Sequence, residues 1–238
     1  MARLSDRIPW SRLFAEGAII VVSVLLALAA DAWLGERQAR DAARTELATV
    51  LDELSDKREQ LLQIGSYNGR ALDGLHVLRL ELEGVPTGAP VSVSDSLASQ
   101  LVWIAVTDDA SPILDSFLQQ DHLRQVRDPE LRQLLLQWPP RVEDLRDDEE
   151  RTADQIDQEF VPYLSAEFDF ARPLDLVFTM WTPAPDLSGI GVTRLRSSER
   201  LRNIVSRQIS MLRLVTSQNQ TALQHLDRLV QLIEDELD

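Results

Sequence analysis

Few side chains in this sequence are of types that do chemistry, and their spacing argues against most of it. There is no cysteine, which removes thiol catalysis, thiolate metal sites, disulfides and a lipobox-type lipid anchor together. His76, His122 and His225 are the three histidines. None has a second histidine one helical turn away and no His-Glu-x-x-His run exists, so no zinc site is expected. Asp147-Asp148-Glu149-Glu150 concentrates four carboxylates, but consecutive residues on a helix point in different directions and do not converge on one cation. The run reads as a solvated acidic face. Asp108-Asp109, between two predicted helices, reads as a cap for the segment that follows. Gly189-Ile190-Gly191 follows no clear strand and lacks both a third glycine and a Lys-Ser/Thr partner, so it is not a phosphate loop. No Gly-x-Ser-x-Gly elbow supports nucleophilic hydrolysis. The chain is therefore expected to hold no catalytic, cofactor-binding or metal-ligating residue, and not to be an enzyme.

What must position the remaining residues is set by composition. The 238 residues are 44% apolar and only 5% aromatic, a balance that suits packed helices better than strands rich in β-branched and aromatic side chains. The net charge is −15. Residues 35–238 carry all of it, while Arg3, Arg7 and Arg12 against Asp6 make the first twelve residues basic. A body this acidic repels phosphate backbones, so no nucleic-acid partner is expected.

Between Trp10 and Trp33 the sequence is apolar, interrupted only by Arg12, Glu16 and Asp31 beyond its serines and glycine. The two indoles are 23 positions apart, or roughly 34 Å along a helix. That matches a hydrocarbon core of about 30 Å with a little headgroup on each side, where indoles prefer to sit. Residues 13–34 are read as a transmembrane helix, with Trp10, Glu16 and Trp33 marking the anchor. A cleaved signal peptide, ending near Ala27-Leu28-Ala29 or Ala30-Asp31-Ala32, and a buried core helix are the alternatives. Under the anchor reading residues 1–12 form a short cytoplasmic N-terminus and residues 35–238 an acidic, helical, extracytoplasmic domain of a bacterial inner-membrane protein. Arginine counts flanking the span are nearly balanced, so this orientation rests on long domains translocating largely regardless of charge.

Beyond the span, Leu47, Leu54, Leu61, Asn68, Leu75 and Leu82 recur every seventh residue, with Val50, Lys57, Ile64, Ala71 and Leu78 three positions on. This stripe predicts one long helix from Arg37 to about Glu83. Ser94 or Ser92 is expected to cap a second helix running through Leu101 and Ala105, and Ser111-Pro112 to open a short third. Asp128-Pro129-Glu130 opens another, which Pro139-Pro140 should kink or interrupt. Residues 162–196, with four prolines, read as a long connection. Ser197 or Ser198 then caps a last helix whose buried face includes Leu201, Val205, Leu212, Asn219, Leu226 and Ile233. The fold class is all-α: a transmembrane helix continuing into the long first helix of an up-and-down four-helix bundle. Asn68 and Asn219 fall at similar heights in antiparallel helices and are expected to pair across the core. Asp128 reads as a helix cap, with Arg132 as its partner one turn on.

Two stretches, Glu16-Gly17 through Ala29-Ala30-Asp31-Ala32-Trp33 to Glu36-Arg37, and Ile113-Leu114-Asp115-Ser116-Phe117 with Val126-Arg127-Asp128-Pro129-Glu130-Leu131-Arg132 and Trp138, resemble an uncharacterised family of bacterial single-pass membrane proteins. That resemblance covers the first half to two-thirds of the chain. It implies an uncleaved anchor and a helical domain, and it supplies no activity. The expectation from all these features is a membrane-anchored interaction or scaffold protein whose partners are the bilayer and a second copy of itself or another envelope protein. A periplasmic ligand-binding or sensory module acting through a partner is the alternative.

Overall fold

The structure, a computed structural model, describes residues 10–120, 122–179 and 191–238, and their side chains apart from those of 10–20 and 177–179. Its first element is a single helix, α1 (Trp10–Glu83). At 1.5 Å per residue its 74 residues extend about 110 Å. From Val21 to Ala42 every side chain is exposed; from Ala43 to Leu82 the seven-residue stripe is buried. Leu54, Leu75, Leu78 and Leu82 are fully enclosed, Lys57 and Asn68 are buried among them, and only Ile64 is half-exposed.

After a turn containing Gly88, which takes a left-handed φ of 88° open to glycine without strain, the chain forms β1 (Pro90–Ser94). Helix α2 (Asp95–Ser99) follows, its Leu97 N–H donating to Ser94 Oγ. The helix expected to reach Ala105 thus ends at Ser99. Its predicted apolar positions Leu101, Ile104 and Ala105 are buried all the same, because residues 103–111 run extended back along α1. Ala105 meets Asn68, Asp108 meets Lys57, and Ile113 meets Glu53. Helix α3 (Pro112–Gln119) and a 3₁₀ turn at His122–Gln125 complete this descending arm.

Helix α4 (Pro129–Gln155) rises again. It leads without a break through a π turn (Ile156–Phe160) into α5 (Val161–Glu167). Pro139 and Pro140 lie inside α4 and do not interrupt it. Helix α6 (Ala171–Thr179) and β2 (Val192–Arg196) then bring the chain to α7 (Glu199–Leu237), whose cap Ser198 accepts from Leu201 N–H. Of the long connection expected at 162–196, its start and end are therefore regular; Met180, Trp181 and Gly189 lie outside the described residues.

Antiparallel pairing of β1 with β2, Val91 opposite Leu195 and Val93 opposite Thr193, turns these four side chains inward at one end of the bundle. The body is mostly helical, as expected, but its plan differs from four up-and-down helices. Helix α7 packs along α1 and α4, and runs antiparallel to both, as Arg58–Asp227 with Arg202–Leu82 on one side and Arg228–Glu130 with Arg207–Glu159 on the other require. The fourth, descending position is filled by α2, an extended run and α3. Apolar side chains of α1, the arm, α4 and α7 build a lower cluster around Leu54, Phe117 and Trp138, and those of the opposite end an upper cluster around Leu78, Phe160 and Leu201.

Among the described residues no helix is long and apolar enough to cross a membrane. The expected span 13–34 falls partly outside them: the side chains of residues 13–20, with those of Trp10 and Glu16, are not described. The part that is described is helical and carries a continuous exposed apolar surface, Leu26 being 65% and Trp33 58% exposed.

Candidate functional site

Below Leu47 the stripe that buries leucines higher on α1 changes chemistry. Its positions one and two heptads earlier are Arg40 and Trp33, and Arg44 and Arg37 lie four residues on from each. These side chains share one helix face, at i, i+4, i+7 and i+11 from Trp33. Arg37 lies over the Trp33 ring, 5.5 Å from its centroid, and Arg40 pairs with Glu36 at 2.9 Å.

The foot of the bundle closes on this face from the other side. Gln125 ends the 3₁₀ turn, Val126 and Arg127 follow it, and Glu236 comes from the last turn of α7. Both carboxylate oxygens of Glu236 are engaged, accepting from Arg127 N–H at 3.0 Å and Asp128 N–H at 3.2 Å. Between the two walls is an open cleft of about 290 Å³. Four arginines, Arg37, Arg40, Arg44 and Arg127, line it against two acids, Asp41 and Glu236. Arg37, Arg44 and Arg127 have no carboxylate partner among the described residues. In a chain of net charge −15, this is a concentration of positive charge set directly above the exposed apolar stretch. The two stretches singled out in the sequence, Trp33-to-Arg37 and the run beginning at Val126, converge here.

Asp128 and Arg132 hold that wall in place, though not by pairing with each other. The Asp128 carboxylate caps α4, accepting from Glu130 and Leu131 N–H, while the Arg132 guanidinium donates to Val126 O at 2.7 Å. Each thus satisfies a backbone group at a chain reversal.

A second polar feature crosses the bundle at mid-height, where the upper and lower clusters meet. Asn68 of α1, Glu149 and Thr152 of α4, Asn219 of α7 and Thr107 of the arm are all buried there. Glu149 is fully enclosed; its oxygens accept from Thr107 N–H and from Thr107 Oγ1, the latter at 3.1 Å. Burial in apolar surroundings pushes this carboxyl up to about 7, against the lowering effect of the two Thr107 bonds. The acidic run was expected to be solvated throughout; three of its members are not buried but Glu149 is. Its spacing carried the signal, since Trp138, Val142, Leu145, Glu149, Thr152 and Ile156 alternate by four and three.

Asn68 and Asn219 share the layer but not a bond. Asn68 donates to Ala105 O at 3.1 Å and accepts from Ala105 N–H at 3.0 Å, pinning the extended arm. Asn219 donates to Leu61 O at 3.3 Å and faces Gly65, where a Cβ would meet its Oδ1 at 2.6 Å. The expected amide pair is therefore replaced by two amide–backbone contacts. Buried extended backbone needs such partners because it lacks a ladder of its own.

Other candidates lie apart. His225 donates from Nε2 to Leu134 O within the lower cluster, its burial holding the imidazole below its ordinary range, and His122 stacks near Phe117. Asp108 uses its carboxylate to accept Ala110 N–H, which together with the nearby Lys57 holds it below the usual carboxylate range. Among the described residues no group of three or more His, Asp or Glu side chains is placed to hold a metal ion. No protein-family model, no curated protein and no solved structure matches this chain.

Proposed function

We propose that this chain is a single-pass membrane protein in which residues 13–34 anchor a helical body that serves as an interaction module or scaffold. The observation that carries this reading is the exposed apolar surface at residues 21–34. Val21, Val22, Val24, Leu25, Leu26 and Leu28 point in all directions around α1, each more than half exposed. A helix apolar on every side is not a half-buried bundle helix; it needs an apolar surround. The preceding residues Leu13 to Ile20 add Phe14, Ala15, Ala18 and Ile19 to the same stretch, bringing it to the length of a bilayer core. Glu16 and Asp31 fall within two turns of its ends, where carboxylates reach the headgroups at modest cost.

In this arrangement α1 leaves the bilayer at Trp33 and continues as the bundle's own first helix. The body is then fixed to the membrane through helix backbone, not through a flexible tether. Residues 35–238 stand on the extracytoplasmic side of a bacterial inner membrane, with the N-terminus inside, and their surface is offered to a second copy or another envelope protein. The test of the anchor is an alkaline wash of membranes holding the full chain. The native chain stays in the membrane pellet, whereas Val22→Arg with Leu26→Arg, each costing about 3 kcal/mol at mid-span, moves it to the supernatant. A native chain recovered in the supernatant refutes the anchor. Cross-linking in the same membranes tests the scaffold role: only monomer, with no adduct, refutes it.

A further inference from the structure

We infer that the arginine cleft at the foot of the bundle seats the phosphate of an anionic phospholipid in the leaflet on which the body stands. This rests on the anchor reading above, because that reading sets the height of the cleft. With Trp33 at the edge of the hydrocarbon, Arg37 lies about 6 Å and Arg40 about 10 Å further along the helix. The headgroup layer extends roughly 5–7 Å beyond the hydrocarbon on each side. Arg37 is inside it, and Arg40 stands about 3 Å beyond its outer edge. Arg44, about 16 Å along the helix from Trp33, and Arg127 line the same cleft above the layer, and long guanidinium side chains can extend toward an interface while their stems stay on the protein.

Three features make this a seat for a phosphate and not a general basic surface. Arg37, Arg44 and Arg127 come from two walls and face one opening of about 290 Å³, and none is matched by a carboxylate among the described residues. The lining's four arginines outnumber its two acids, Asp41 and Glu236, and Glu236 has both oxygens hydrogen-bonded to the Arg127 and Asp128 N–H groups, not to a guanidinium. Guanidinium forks match phosphate oxygens in pairs, which a single ammonium does not. The body above is strongly acidic and is repelled by an anionic membrane. A headgroup clamped at the foot offsets that repulsion where the bundle meets the bilayer, and holds the 3₁₀ turn and α7 terminus against the stalk.

The test uses the full chain in a neutral detergent, stripped of lipid. It is titrated separately with phosphatidylglycerol, phosphatidylcholine and inorganic phosphate, and the retained molecules are counted by native mass spectrometry. Phosphatidylglycerol is expected to bind at least tenfold tighter than phosphatidylcholine, with each arginine near an anionic headgroup contributing about fivefold. The triple variant Arg37→Gln, Arg44→Gln, Arg127→Gln loses this preference, while Arg70→Gln with Arg213→Gln, on exposed helix faces away from the cleft, keeps it. Thermal unfolding followed by circular dichroism verifies that both variants fold. Equal retention of the two lipids, an unchanged triple variant, or inorganic phosphate displacing the lipid at equal concentration each overturns the inference. The alkaline wash separates it from the anchor: a chain that stays in the pellet without lipid preference removes the headgroup site alone, and a chain that washes off removes the anchor.

Discussion

Replacing Glu149 by Gln is expected to stabilise the protein above neutral pH and to flatten its stability between pH 5 and 8. Glu149 is fully enclosed, and its carboxyl titrates at about 7 in the fold against about 4.5 in the unfolded chain. A group whose folded value is raised adds stability below its unfolded value and loses it as pH rises through the folded one. Its contribution is therefore full below about pH 4.5, declines between there and 7, and is gone above. The difference corresponds to about 3 kcal/mol, or a fall of roughly 6–12 °C in Tm for a chain of this length. A neutral glutamine keeps an oxygen for Thr107 N–H and offers an amide donor to the hydroxyl. Urea denaturation of both chains at pH 5, 6, 7 and 8 measures the effect. The native chain loses stability relative to Glu149→Gln from pH 5 to 7, and the variant is the more stable of the two at pH 7 and 8. Parallel curves for the two chains, or a glutamine variant less stable at pH 8, would refute the burial argument. His225 does not imitate the result, since its lowered value places its loss of stability below pH 6.5, on the falling side of pH.

Three further outcomes test how the arm is held. Glu53 accepts from Ile113 and Leu114 N–H at 3.0 and 2.9 Å, capping α3 from α1, whereas Ser111 at the cap position makes no such bond. Glu53→Ala should cost about 1–2 kcal/mol in chemical denaturation and Ser111→Ala less than about 0.5. Asn68→Ala leaves both polar groups of buried Ala105 unpaired and should cost about 2–4 kcal/mol, against about 1 for Asn219→Ala, whose one bond is longer. Because the two amides share no bond, their effects should add within about 0.5 kcal/mol in the double variant; a larger coupling would restore the direct pair.

The long elements were legible because their physics is local and periodic. Leu47 to Leu82 at seven-residue intervals state what α1 buries, and Asp128-Pro129 and Ser198-Glu199 where α4 and α7 begin. Three things were not legible, each for a non-local reason. Leu97, Leu101, Ile104 and Ala105 have helical spacing, yet residues 103–111 run extended, because Asn68 and Glu149 supply the backbone partners that a helix would have supplied itself. Pro139-Pro140 suggested a break, but Trp138, Val142 and Leu145 are buried on one stripe, and their packing outweighs two missing donors. The strands β1 and β2 are five residues each and 98 positions apart at their closed end, too short and distant to announce their pairing. The cleft itself was half visible: the stripe changes from leucine to arginine in plain sequence, but nothing local tells that Arg127 and Glu236 will face it.

The central claim is that one helix runs from the bilayer into the bundle, and spin labels placed singly at each position from 21 to 50 in the otherwise cysteine-free chain test it most directly. With the protein in lipid vesicles, collision with oxygen and with a water-soluble nickel complex reads the depth of each label. Labels from 21 to about 32 are predicted to favour oxygen on all sides of the helix, with the crossover at Trp33. Beyond it, water-exposed positions should alternate with buried ones at helical period from Ala43 onward. Nickel access throughout residues 21–32, or the absence of a helical period from Ala43 to Val50, would contradict the account.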